Sequence, residues 1–229
     1  MSRLLGFIPA RGGSVRLPGK NALEIAGKSL IVRTVEAALA SELLDEVAFS
    51  SDKKDYLRLA ASAGLATPYR RPARLGAADT TTLDVVLDYL DWRSAQGLPE
   101  VTHVLVLQPT SPFRDTADID RAIRFWRDSG RKSLVSAAPA GPSLGYVVLR
   151  TEEGGNLACM SDIPGGEVFV LDGEFFLTPV RMLREERQFW NADSALLVRD
   201  QPRPHDIDTR EDFLAAQAMI ERRALDGDA

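Results

Sequence analysis

Short apolar runs alternate with segments of helical periodicity along most of this chain, and no other feature restricts its fold as strongly. Leu4-Leu5-Gly6-Phe7-Ile8 is continuously apolar, as a strand covered on both faces must be. Ser29 to Ala40 carries Leu30, Ile31, Val35 and Leu39 at helical spacing, with Ser29 placed to cap the helix. Glu46 to Ser51 reads as a second strand that ends at Asp52. Lys53 to Ala63 reads as a helix closed by Gly64, and Thr81 to Gln96 as one entered through Asp79 and the run of threonines and stopped by Gly97. Val101 to Leu107 reads as a central strand, Thr116 to Asp128 as a helix capped by Asp115 or Thr116, and Ser133 to Ala137 as a further strand. This order predicts an α/β fold, a mostly parallel sheet with helices on both faces. Ligands of such sheets lie beyond the carboxyl ends of the strands, so chemistry is expected in the loops after Ile8, Ser51, Leu107 and Ala137.

The 229 residues are compatible with a single domain, 1–229. Glycine, proline and serine crowd the stretch from Pro139 to Gly166, which reads as an excursion, about 139–176, carrying short strands such as Tyr146 to Leu149. Val168 to Leu171 and Glu174 to Leu177 then read as strands around Asp172-Gly173. Thr209 to Ala224 is a helical tail that Thr209 can cap, with Asp212 reaching back and Phe213, Ala216 and Ile220, flanked by Leu214, forming its apolar stripe.

A net charge of −5 gives no bulk attraction to nucleic acid. The one cysteine, Cys159, cannot form an intrachain disulfide. Neither the N-terminal residues nor any other stretch contains an apolar run long enough to cross a bilayer. A cytoplasmic protein with no membrane or nucleic-acid partner is expected.

Against that acidic background stands Ile8-Pro9-Ala10-Arg11-Gly12-Gly13-Ser14-Val15-Arg16-Leu17-Pro18-Gly19-Lys20-Asn21, directly after the first strand. Glycines let a backbone approach an anion closely with its amides exposed, and Arg11, Arg16 and Lys20 add positive charge. The spacing is neither a Walker loop nor G-x-G-x-x-G. An ordinary strand-to-helix connection is the plainer reading, but this density of cations, glycines and prolines is unusual for one. Leu107-Gln108-Pro109-Thr110-Ser111-Pro112-Phe113-Arg114 follows the central strand, stiffened by two prolines and offering Gln108, Thr110 and Ser111 to a base or sugar; turn chemistry with a helix cap would also account for it. His205-Asp206-Ile207-Asp208-Thr209 sets two carboxylates at i and i+2 on an extended segment, so both point the same way and can share a Mg²⁺ with phosphates and water. Alternatively Asp208 or Thr209 merely caps the last helix. A weaker signal is Arg70-Arg71-Pro72-Ala73-Arg74-Leu75 followed by Asp79-Thr80-Thr81, where a surface turn and a helix cap at Asp79 would suffice.

The Ile8–Asn21 segment closely resembles the N-terminal signature of the acylneuraminate cytidylyltransferases, which activate sialic acids and related nine-carbon keto-sugar acids. Leu107 to Arg114 resembles that family's L-Q-P-T-S-P-L-R with Phe113 for a leucine, Asp206 to Thr209 resembles its D-I-D-T, and the segment around Arg71 its R-P-x-x-L followed by D-T. The matches run in order from Ile8 to Asp212. The resemblance implies a Rossmann-like sheet of the nucleotide-sugar transferase type and a reaction in which CTP and a keto-sugar acid give a CMP-sugar and pyrophosphate with Mg²⁺. It implies nucleotide binding by Ala10, Arg11, Gly12, Gly13, Ser14, Lys20, Asn21, Arg71, Asp79 and Gln108. It implies acceptor contacts from Gln108, Thr110, Ser111, Asp172 and Asp206, metal binding by Asp206 and Asp208, and catalytic roles for Arg11, Lys20 and Asp208. A homodimer is expected, with a reduced dimer arm.

Two departures bear on that expectation. Val15 stands where the family has a lysine beside the triphosphate, with Arg16 next to it as a substitute. The excursion lacks the family's lysine after a His-Pro pair, and Asp172-Gly173 stands where Asn-Gly is expected. Pseudaminic or legionaminic acid, the eight-carbon acid KDO, or a GTP-using relative are alternatives within the same chemistry. A catalytically weakened nucleotide-binding homologue is the alternative outside it. Neither His103, inside an apolar strand, nor Cys159 signals further chemistry.

Overall fold

The computed structural model describes residues 2–139, 148–150, 157–159, 169–199 and 206–226. Strand β1 (Leu4–Pro9) leads through the glycine-rich loop and a single 3₁₀ turn (Lys20–Ala22) into a two-stranded hairpin of β2 (Glu24–Ile25) and β3 (Lys28–Ser29). Helix α1 (Leu30–Leu39), strand β4 (Glu46–Ser50), helices α2 (Lys54–Ser62) and α3 (Thr82–Ala95), strand β5 (His103–Val106), helix α4 (Thr116–Ser129) and strand β6 (Leu134–Pro139) follow. Short strands β7 (Val148–Arg150) and β8 (Leu157–Cys159) pair with each other. Strand β9 (Phe169–Pro179), helix α5 (Val180–Glu185), strand β10 (Ala195–Val198) and helix α6 (Arg210–Asp226) complete the order.

The main sheet runs β10-β6-β9-β5-β1-β4. β1 is parallel to β4 and β5, and β10 is parallel to β6. β9 alone opposes its neighbours, lying antiparallel to both β5 and β6. The parallel strands therefore end on one edge, which brings the loops after β1, β4 and β5 together.

Strand β1 shows why its sequence is apolar throughout. Leu4 and Ile8 face a core built with Ile31 and Val35 of α1, Tyr56 of α2 and Ile119 and Ile123 of α4. Leu5 and Phe7 face the opposite core, under Val86, Tyr89 and Leu90 of α3 and Leu183 of α5. A third, smaller cluster joins Ile25, Leu30, Phe113, Ile207 and Ala216, with Leu17, Phe213 and Ile220 packed against it. That cluster fastens α6 beside the carboxyl edge of the sheet; Leu214, at the margin of the stripe, is 52% exposed.

Local signals specify most helix ends. Ser29 caps α1 by accepting from the Val32 amide, and Asp115 caps α4 in a reciprocal box with Asp118. α3 is capped by Thr81 in a box with Asp84, which corrects the reading that gave Asp79 this role. Thr209 Oγ1 accepts from the Asp212 amide while Asp212 Oδ2 accepts from the Thr209 amide, so Thr209 and Asp212 cap α6. The segments read as strands around Asp172-Gly173 form one strand, β9, interrupted by a bulge at Gly173, whose φ of +72° favours glycine. β5 begins at His103, two residues later than Val101. Tyr146, Val147 and Val168 lie outside the described residues, as does most of the expected excursion. Among the described residues no helix is long and apolar enough to cross a membrane.

Candidate active site

A cavity of about 390 Å³ opens at the carboxyl edge of the sheet. The loop after β1 contributes Arg11, Lys20 and Asn21; the segment before α3 contributes Arg71; the loop after β5 contributes Gln108 and Thr110. Asp206 and Asp208 close it from the approach to α6. Residues separated by almost the whole chain thus meet because β1 and β5 are sheet neighbours and Ile207 anchors the acidic segment. Ile207 is 1% exposed, and its amide donates to the Thr110 carbonyl at 3.0 Å. With Ile207 turned into the third apolar cluster, Asp206 and Asp208 on either side face the cavity, as the two-residue period of an extended segment requires.

Thr209 and Asp212 cap α6 between them, so the Asp208 carboxylate is not taken up by the helix end. That carboxylate accepts from Lys20 Nζ at 2.9 Å and contacts the Arg16 guanidinium. Lys20 also donates to the Ile207 carbonyl at 3.0 Å. Two cations of the loop therefore bridge to the acidic segment. Two carboxylates facing one cavity suit Mg²⁺, which takes carboxylates together with substrate phosphates and water.

The opposite wall is more deeply buried. Arg71 is buried; its Nε donates to Ser50 Oγ at 3.0 Å and its Nη2 to the Ser50 carbonyl at 2.9 Å. Burial lowers its pKa, opposed by the nearby Asp52 carboxylate. Asn21 Nδ2 donates to the Arg11 carbonyl at 3.1 Å, which leaves its buried Oδ1 without a hydrogen-bond partner at the cavity wall. A buried acceptor with no donor is costly, and here it belongs to a residue of the cavity wall. Arg11 Nη1 rests on the Ala78 carbonyl at 3.2 Å, an exposed bond that an anion can replace.

Several expected contacts lie elsewhere. Ala10 is fully buried and its amide pairs with the Ser50 carbonyl, because it continues the β1 ladder. The Gly12 amide, expected to face phosphate, donates to Asp52 Oδ1 at 2.9 Å. Gly13, Ser14, Asp79 and Ser111 do not line the cavity; Asp79 is exposed, and Ser111 is buried with its amide on the Gln108 carbonyl at 3.3 Å. Asp172, expected at the acceptor, has a fully buried side chain paired with Arg199 at 2.7 Å. Val15 is 77% exposed, so no packing requirement holds a valine there.

A second cavity, also about 390 Å³, adjoins the first and shares Thr81, Thr82 and Gln108 with it. Leu83, Phe176 and Phe189 make it largely apolar, and Arg187 stands at its wall, paired with Asp84 at 2.8 Å. No local sequence signal marks these residues. Phe176 alternates normally along a strand, and Phe189 and Arg187 sit in a connection without motif; only the fold gathers them.

A family model described as cytidylyltransferase matches residues 5–222. The chain belongs to the cytidylyltransferase family. Among its relatives, the CMP-N,N′-diacetyllegionaminic acid synthase of Legionella pneumophila is 31% identical over 227 residues, covering 96% of this chain and 97% of the relative. The N-acylneuraminate cytidylyltransferase of Escherichia coli O18:K1:H7 is 25% identical over 97% of this chain; the match spans 53% of that longer protein. A solved CMP-2-keto-3-deoxy-manno-octonic acid synthetase in complex with CTP has the same fold, with a TM-score of 0.70 at 18% identity over 97% of this chain and 100% of that one.

Proposed function

We propose that this cytidylyltransferase transfers CMP from CTP to the anomeric hydroxyl of a nonulosonic keto-sugar acid and releases pyrophosphate, with Mg²⁺ as cofactor. The observation that carries the reading is the convergence on one cavity of Arg11, Lys20, Asn21, Arg71, Gln108, Asp206 and Asp208. Arg11 and Lys20 bind the β- and γ-phosphates, each by charge-assisted hydrogen bonds. Asn21 Oδ1 accepts from the exocyclic amino group of cytosine, and Arg71 and Gln108 fix the remainder of the nucleoside. Arg16, 68% exposed at the loop, exchanges Asp208 for the triphosphate and takes the place of the lysine absent at Val15. Asp206 and Asp208 hold the metal, which when bound neutralises phosphate charge and lowers the pKa of the attacking hydroxyl. A carboxylate of that pair receives the hydroxyl proton. No covalent enzyme intermediate is required.

The acceptor occupies the second cavity, so its anomeric carbon reaches Gln108 and the acidic pair from the apolar side. Leu83, Phe176 and Phe189 favour acyl groups over a hydroxyl-rich tail, which supports an acid carrying two acetyl groups ahead of N-acetylneuraminate. Asp172, sequestered by Arg199, does not repel the acceptor carboxylate. The reading carries a cytoplasmic location, small-molecule partners and a homodimer with a reduced arm. Calorimetry with the four nucleoside triphosphates, with and without Mg²⁺, tests the nucleotide half. CTP binds tightest and gains from Mg²⁺; equal affinity for all four, or GTP ahead of CTP, overturns the base assignment.

A further inference from the structure

A buried row of alternating charges adjoins the backbone of Gln108, which lines both cavities. Arg114 ends the loop after β5; its residue surface is 5% exposed. Its Nη2 donates to the Gln108 carbonyl at 2.7 Å and its Nη1 to the Glu174 carbonyl at 3.0 Å. The Glu174 carboxylate contacts the Arg199 guanidinium, and Arg199 Nε donates to Asp172 Oδ2 at 2.7 Å. The β9 bulge builds the row: Val135 faces Phe176 and Ala137 faces Leu171, so Ser136 alone stands opposite residues 172–175. Ser136 Oγ accepts from the Phe175 amide at 2.9 Å and donates to Asp172, while Asp172 Oδ1 accepts from the Glu174 amide at 3.0 Å.

Resting on the proposed transfer reaction, we propose that Arg114 and Glu174 are positioning residues, holding the Gln108 backbone so that its side chain stands between the nucleotide and the acceptor. Stability alone does not call for ions here. Buried ion pairs suffer a desolvation penalty, and apolar residues of matched volume are often equally stable or better. What an arginine adds is a planar fork that reaches two carbonyls at once, which lysine cannot reproduce. One of those carbonyls belongs to Gln108, which lines both cavities. The other belongs to Glu174, whose carboxylate joins the row at Arg199. The row therefore ties the loop after β5 to β9 and β10, and it holds the backbone of Gln108, one of three residues, with Thr81 and Thr82, that line both cavities. Burial pushes the Arg114 guanidinium down to about 10, so it carries its charge at neutral pH.

The test is a double-mutant cycle between Arg114→Lys and Gln108→Ala, with Glu174→Gln as a second entry into the row. Arg114→Lys keeps the fold, lowers kcat/KM for the acceptor at least about tenfold, and raises hydrogen exchange at the Ser111 amide while β1 and α3 stay protected. Arg114→Lys in the Gln108→Ala background produces no further loss, since the side chain it positions is gone. Glu174→Gln gives the same pattern in weaker form. Losses that multiply in the double variant, or Arg114→Lys with unaltered kinetics and exchange, overturn the proposal. Failure of both row variants to fold also overturns it, by assigning the row to scaffolding. Absence of CTP turnover in the unmodified protein strikes the reaction reading instead, and the exchange measurement still decides whether Arg114 holds the loop.

Discussion

Substituting Asp208→Asn separates two roles that the same residue could play. Asparagine keeps the shape and caps helices as well as aspartate, and in any case Thr209 and Asp212 form the cap. The structural loss is therefore confined to two ion pairs. The Arg16 partner is 68% exposed, which places that pair in the range of ~0–1 kcal/mol. Lys20 is 16% exposed and Asp208 32%, so their hydrogen bond contributes more, but Lys20 retains the Ile207 carbonyl. A total of about 1 kcal/mol lowers Tm by about 2–4 °C for a chain of this size. Catalysis suffers much more. Under the proposed metal assignment, loss of one of the two carboxylates removes several kcal/mol of charge stabilisation, on the order of 10²–10³-fold in kcat. Differential scanning calorimetry paired with a pyrophosphate-release assay reads both quantities. Full activity in Asp208→Asn refutes the metal assignment and favours a weakened homologue. A fall of ten degrees or more in Tm refutes the division of labour between Asp208 and the Thr209–Asp212 cap.

Other perturbations follow from the same geometry. Val15→Lys leaves Tm unchanged, because Val15 is 77% exposed, and holds or improves CTP affinity by calorimetry; a clear loss contradicts the placement of the triphosphate by this loop. Asp52→Ala frees the Gly12 amide that Asp52 Oδ1 holds, so CTP affinity rises if that amide contributes to the cradle; unchanged affinity leaves phosphate binding to Arg11, Lys20 and Arg16. His103 packs on Trp126 with ring centroids 4.7 Å apart, and burial lowers its pKa below the usual 6.5. Its neutral form belongs to the folded state, so its contribution is complete above pH 6.5 and is lost as pH falls through the folded value. His103→Gln flattens the stability profile on the acid side, measured by urea unfolding from pH 7 to pH 5.

The elements that could be read from the sequence are those whose cause is local. Ser29, Asp115 and Thr209 announce their helices through side chains that bond their own first turn. The i, i+2 spacing of Asp206 and Asp208 sends both to one side because Ile207 must go to the other. What the sequence does not display depends on partners brought in by the fold. The direction of β9 is set by pairing with β5 and β6, and its bulge by Ser136 replacing ladder bonds from across the sheet. Asp172 looks like a loop residue available to a ligand, yet Arg199, distant in sequence, neutralises it in the interior. Gly12 looks ready for an anion, yet Asp52, in the loop just beyond β4, already occupies its amide. The apolar cavity beside Gln108 draws Leu83, Phe176 and Phe189 from three elements that share no motif.

Pyrophosphate release by the unmodified protein, with CTP, Mg²⁺ and a panel of keto-sugar acids, is the direct measure of CMP transfer. Turnover with CTP is expected, lost when Mg²⁺ is chelated, with the highest kcat/KM for a diacetylated nonulosonic acid and N-acetylneuraminate slower. No pyrophosphate with any acid, under conditions where CTP binding is demonstrated, contradicts the assignment of CMP transfer; N-acetylneuraminate turned over as fast as any other acid contradicts the acceptor preference drawn from the apolar cavity.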